Sequence, residues 1–173
     1  EYYGEMLVGF LAALFMIYGL LAVPLRSYLQ PIVIMSVIPF GFIGAVIGHM
    51  VFDVTVNMLS VFGIVALAGV VVNDSLILVD FTNRGRNEGM DIDSALVNAG
   101  KKRFRAILLT TLTTFVGLLP IMFETSVQAQ FVIPMALSLS FGIVFASTIT
   151  LILIPCLYSV VETNHRFVST IFA

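Results

Sequence analysis

Met58-Leu-Ser-Val-Phe-Gly-Ile-Val-Ala-Leu-Ala-Gly-Val-Val-Val-Asn-Asp-Ser-Leu-Ile-Leu-Val-Asp-Phe81 is a nearly unbroken apolar stretch with one carboxylate, Asp74, set deep inside it. A bilayer core is crossed by about 20 apolar residues of helix, so the stretch is long enough to span. A charged side chain at that depth costs about 2.5–3.5 kcal/mol on insertion scales. An intramembrane carboxylate therefore marks an ion path, a proton relay or a buried partner. The structural alternative is a protonated Asp74 hydrogen-bonded to a neighbouring helix.

The rest of the chain has the same character. Hydrophobic residues make up 60% of it and charged residues 10%, against about 25% charged in a soluble domain. Four further runs lack Asp, Glu, Lys and Arg: Met6–Leu25, Ser27–Phe52, Ala106–Phe123 and Thr125–Val161. The reading is an all-α integral membrane protein, one transmembrane domain over 1–173. Its five spans are predicted near 6–24, 32–52, 58–81, 105–123 and 131–160. The last is long enough to tilt or to run into the interface.

Charge orients the bundle. Arg26, Arg84, Arg86, Lys101, Lys102, Arg103, Arg105 and Arg166 all fall on one side of the five spans, while Glu1, Glu5, Asp53 and Glu124 fall on the other. The positive-inside rule makes the basic side cytoplasmic, with the N-terminus outside (periplasmic) and the C-terminus inside. The opening Glu1-Tyr2-Tyr3-Gly4-Glu5, with no initiator Met and no basic leader, reads as an excised piece of something longer. Net charge of −2 suggests no nucleic-acid partner.

The loop between spans three and four carries its own signal. Asp91-Ile92-Asp93-Ser94 offers a helix start with acids at the positive end of the dipole. Ile92, Ala95, Leu96 and Ala99 then recur at helical spacing. A short amphipathic cytoplasmic helix near 91–103 is predicted, closed by Lys101, Lys102, Arg103 and Arg105. That cluster suits anionic membrane lipid or, equally, a topogenic stop. Pro39, Pro120, Pro134 and Pro155 punctuate the spans, and Gly44-x-x-x-Gly48 offers close helix packing. His49 reads as a polar residue near the outer interface.

Two spans carry polar residues at helical spacing. In span three, Gly63, Ala66, Gly69 and Asn73 form a small-residue stripe continuing through Ile77 to Asp80, with Asp74 about 100° round from Asn73 and Ser75 a step further. In span four, Thr110, Thr113, Thr114 and Gly117 share a face and Thr111 lies beside it. Such threonines either bond back to their own helix or form a polar seam facing span three that passes protons. No Lys or Arg within a span neutralises Asp74. Enzyme readings fail: the two His are far apart, Asp80 is a poor aspartyl-protease partner for Asp74, and no phosphate-binding loop is present. No catalytic residue, metal site or cofactor is assigned. Cys156, the only cysteine, allows no intrachain disulfide and reads as packing.

Asn57-Met58-Leu59-Ser60 through Gly69-Val-Val-Val-Asn73-Asp74-Ser75 to Asp80-Phe81 resembles the tenth transmembrane helix of resistance-nodulation-division (RND) exporters, the AcrB-like family. Lys102-Arg103-Phe104-Arg105-Ala106 through Thr110-Thr111 to Gly117-Leu118-Leu119-Pro120 is similar to the next helix. Phe131 through Ile154-Pro155-Cys156-Leu157-Tyr158 is similar to the twelfth. The resemblance covers essentially the whole chain, as helices eight to twelve. It implies a proton-driven exporter of the Gram-negative bacterial inner membrane, with protons as coupling ion and no cofactor. The intact protein would be a homotrimer working with a periplasmic adaptor and an outer-membrane channel. The first transmembrane repeat and the periplasmic domains of the same polypeptide would be this chain's immediate partners.

By the same resemblance, Thr110 matches the relay threonine of the eleventh helix. Asn73 stands where many drug exporters have a relay lysine, and Asp74 stands beside it. The expected relay is Asp74, Asn73 and Thr110, supported by Thr111, Thr113, Thr114 and Ser75. Two other readings stay open: a protein-translocation accessory or lipid exporter of the same superfamily, and a structural bundle with Asp74 as hydrogen-bonding glue. The last predicts that Asp74→Asn is tolerated.

Overall fold

A computed structural model describes residues 2–171, the side chains of residues 2, 3, 6 and 162–171 excepted. It is all helical among the described residues: α1 (Tyr2–Leu25), α2 (Gln30–Met35), α3 (Ile38–Phe52), α4 (Met58–Asn87), α5 (Ile92–Met122) and α6 (Val127–Ile171). Five segments are long and apolar enough to cross a membrane, the second formed by α2 and α3 together. The chain is thus a multi-pass membrane protein of the predicted class.

α4 runs on to Asn87 and α6 starts at Val127, beyond the predicted spans, and two further differences change the architecture. The second span breaks between Met35 and Ile38. Pro39 has no N–H to return to Met35, and its ring crowds that carbonyl. The chain turns tightly instead, with Val37 N–H on Ile34 O (3.4 Å) and Ser36 Oγ on Val33 O (2.6 Å). The other difference is that no separate surface helix exists near 91–103. α5 runs unbroken from Ile92 to Met122, because no Gly-Pro break or turn residue interrupts Lys101–Ala106. The amphipathic segment is the first three turns of the fourth span.

The core is built by α3, α4 and α6, and glycine is what lets them meet. A Cβ on Gly44 would lie 2.5 Å from Phe145 Cβ and 2.7 Å from Phe141 O; one on Gly63 would lie 2.5 Å from Met135 O. Water cannot drive helices together inside lipid, so association depends on such close backbone approach. The suspected Gly44-x-x-x-Gly48 seam is therefore real, and α6 is its partner. Leu67, Val71, Leu78, Ile143 and Ile154 fill the space between, all nearly inaccessible. At the end holding the 53–57 and 123–126 loops, Phe141 packs edge-on against Phe52 (5.9 Å) and Phe115 (5.5 Å). α1 stays peripheral, with Leu11, Phe15, Leu20 and Val23 exposed.

Candidate functional site

α4 divides into two faces. Ser60, Ile64, Leu67, Ala68, Val71, Ser75, Leu78 and Thr82 point into the core. Phe62, Ala66, Gly69 and Asn73 are exposed, and a Cβ on Gly69 would meet nothing within 4 Å. The small-residue stripe of the sequence is thus split. Gly63 is spent on packing against α6, and the rest is an open surface ending at Asn73.

Asp74 lies on the flank between these faces, half-buried. Seven residues make almost two full turns, so Asp74 shares its azimuth with Phe81, and eleven residues bring it round to Gly85. Both residues face α5: the Arg103 guanidinium sits 4.1 Å from the Phe81 ring centroid, and a Cβ on Gly85 would lie 3.3 Å from Ala95 Cβ. Asp74 therefore looks toward α5, two turns above that contact. The Gly85–Ala95 contact sets the register of this antiparallel pair and puts Asp74 near the level of Ala106, about one turn short of Thr110 and Thr111.

Two polar atoms along this part of α4 and α5 have no hydrogen-bond partner: Asp74 Oδ2 and Thr111 Oγ1, each buried. Leaving a buried donor or acceptor unpaired costs about 1–3 kcal/mol. Such a cost is unusual in a native fold and calls for an explanation. Thr111, the threonine placed beside the seam by the sequence, is the one that turns inward.

The seam itself is not where the sequence put it. Thr110 and Thr113 are exposed and donate to their own helix, Thr110 Oγ1 to Ala106 O (2.9 Å) and Thr113 Oγ1 to Leu109 O (2.7 Å). Thr114 is half-buried and Gly117 exposed. The reason is divergence of the two helices. Ala95, on the azimuth of Thr113, is buried against Gly85 of α4; eighteen residues on, the same azimuth is open. α4 and α5 touch at the basic end and part above it. Ser75 lies on the core side, donating to Val71 O (2.8 Å). Asp80 pairs with Arg84 one turn on (2.9 Å), both partly exposed, a contact worth at most about 1 kcal/mol.

Two polar clusters had no clear sequence signal. At the basic end, Asn83 exchanges both amide bonds with Gln30 (3.2 and 2.9 Å), and Tyr158 OH donates to Asn83 Oδ1 (2.6 Å). This ties α2, α4 and α6 together. At the other end, His49 is buried rather than interfacial. Its Nδ1 lies 2.9 Å from Ala45 O and its Nε2 2.8 Å from Ser60 Oγ. The carbonyl can only accept, so Nδ1 carries a proton and donates. Ser60 also closes a capping box with Asn57 (3.1 Å both ways), the hint being Asn57-x-x-Ser60 ahead of an apolar run. No group of His, Cys and acids able to hold a metal is found among the described residues.

Comparison with known proteins returns one consistent answer. A family model described as the AcrB/AcrD/AcrF family matches residues 3–162. Multidrug resistance protein MdtC of Proteus mirabilis (strain HI4320) is 31% identical over 153 residues, 88% of this chain and 15% of that protein. Crystal form II of a heavy metal efflux pump superposes with a TM-score of 0.78 at 27% identity, over 87% of this chain and 15% of the pump. Crystal form I of the pump gives 0.75 at 28%, over 87% and 14%. The chain spans about 15% of the length of these relatives.

Proposed function

The chain belongs to the AcrB/AcrD/AcrF family, and on that premise we propose that it is the membrane-embedded end of a larger RND exporter driven by protons. In this reading the substrate is an organic, drug-like molecule, in keeping with the name of the Proteus mirabilis relative. The exporter sits in the bacterial inner membrane as a homotrimer with an adaptor and an outer-membrane channel. The basic end faces the cytoplasm. The chain itself performs no bond-making chemistry.

The observation that carries the mechanism is the buried, unpartnered Asp74 Oδ2 on the α5-facing flank of α4. A carboxylate in that position takes up a proton when the pathway opens to one side and gives it up when it opens to the other. Thr111 supplies a hydroxyl, and Thr110 a second if it exchanges its bond to Ala106 O for one across the cleft. Asn73 has no charge to trade, so the proton-dependent change falls on Asp74. The open stripe Ala66, Gly69, Asn73 of α4 and the exposed Thr110, Thr113, Gly117 of α5 form the surface against which the first repeat would seat. Between Phe62 and Asn73 the α4 stripe holds only Ala66 and Gly69, so a facing helix can shift along it as Asp74 changes protonation.

The test is drug susceptibility of cells expressing the exporter with Asp74→Asn, against wild type at matched membrane abundance. Asn keeps the hydrogen-bonding shape without titration. The reading expects resistance to fall at least about ten-fold, below the roughly 10²–10⁴-fold that a lost general acid–base group costs a rate. Retained resistance would leave Asp74 as packing glue and move proton coupling elsewhere.

A further inference from the structure

We propose that the basic end of α5 is a seat for one anionic phospholipid of the leaflet it meets, the cytoplasmic leaflet by the positive-inside rule. The four basic residues of 101–105 do not act alike. Arg103 turns inward and stacks on Phe81 of α4, whereas Lys101, Lys102 and Arg105 are exposed. Among the described residues no ion pair engages those three. Three cations crowd one turn of helix without a counter-charge. Lys101 and Arg105, at i and i+4, have Cβ atoms roughly 6 Å apart and can share one phosphate.

The continuity of α5 gives this cluster its depth. On its outward face, Asp93, Ser94 and Asn98 come first, then the three cations, then Leu108, Leu112 and Val116, all exposed or nearly so. The cations therefore stand where water gives way to hydrocarbon, the level of a lipid phosphate. A helix lying flat in the interface would not place them so.

A notch lies beside them. Gly100, Lys101, Phe104 and Leu151 line a depression of about 370 Å³ between α5 and α6. Gly100 is its floor, since a Cβ there would meet nothing within 4 Å. Phe104 and Leu108, 52% and 45% exposed, continue the wall toward the membrane centre along the path of an acyl chain. A topogenic stop needs the charges alone; it needs neither the glycine floor nor the apolar wall. Asp93 lies in the adjoining depression with Lys101, two turns toward water and clear of a phosphate bound between Lys101 and Arg105.

The test titrates the purified intact protein, freed of native lipid, with phosphatidylglycerol or phosphatidylcholine of identical acyl chains, read by native mass spectrometry. Each cation near an anionic surface contributes enough that three of them should favour phosphatidylglycerol at least about ten-fold at the tightest site. The preference should weaken as ammonium acetate rises. Lys101→Gln/Lys102→Gln/Arg105→Gln should reduce it to that of phosphatidylcholine. Gly100→Leu, which fills the notch and leaves charge unchanged, should weaken the tightest phosphatidylglycerol site several-fold. A preference that survives the triple substitution, or a Gly100→Leu protein that binds like wild type, overturns the proposal. Circular dichroism of both variants must match wild type, and these positions are exposed or open enough for that.

Discussion

The two faces of α4 obey opposite rules. Toward α3 and α6 the helix is closed: Gly63 meets backbone, Leu67 and Leu78 are sealed, and Ser60, Ser75 and Thr82 all have hydrogen-bond partners. Toward α5 and outward it is open: Ala66, Gly69 and Asn73 touch little, and Asp74 Oδ2 has no partner. Both faces use small residues, but for different ends. On the first, glycine brings backbones together for good. On the second, smallness leaves a smooth surface beside an unsatisfied carboxylate, which suits the remade contact that the proposed transport cycle requires.

The sharpest way to break this contrast is to put one substitution on both faces. Gly63→Leu forces a side chain into the Met135 carbonyl and Ser138 Cβ and should cost about 3 kcal/mol or more. The readout is loss of folded protein in a detergent unfolding titration. Gly69→Leu meets nothing in this fold and should change that stability by less than about 0.5 kcal/mol, while efflux by the exporter drops. Equal stability losses at the two positions would erase the distinction.

Smaller effects sharpen it. Asn83→Leu strips Gln30 and Tyr158 of their shared partner and should destabilise by about 2 kcal/mol. A double-mutant cycle with Tyr158→Phe should show the two losses to be non-additive. Ser60→Ala removes the bond from Asn57 N–H to Ser60 Oγ and the contact to His49 while leaving Ser60 N–H on Asn57 Oδ1, for about 1 kcal/mol. A near-zero result would mean that Asn57 caps α4 without help. Thr113→Val should be silent in stability within about 0.3 kcal/mol, because the lost bond returns to its own helix at an exposed position.

How much of this was legible in the sequence follows from what each signal depends on. The spans are set by local hydropathy, so four uncharged runs and the apolar stretch around Asp74 predicted five crossings. The break at Ser36–Val37 and the fusion of 91–103 with the fourth span depend on how a neighbouring turn resolves, and those boundaries moved. Asp74 stood out because its cost is local. The orientation of Thr110 and Thr113 did not, because a helical wheel gives a shared face but not what the face meets. Ala95 and Thr113 share an azimuth, and only the divergence of α4 from α5 makes one buried and the other open. Asn83 with Gln30, 53 residues apart in sequence, and His49 with Ser60 are tertiary pairings that no spacing announces.

The central claim is that Asp74 is the group on this chain that exchanges a proton during transport. Proton movement in proteoliposomes containing the exporter, followed with an internal pH dye on addition of substrate, tests it most directly. Wild type should couple proton flux to substrate, and an Asp74→Asn protein of equal abundance and stability should bind substrate without moving protons. Undiminished substrate-dependent proton flux in Asp74→Asn would contradict the account.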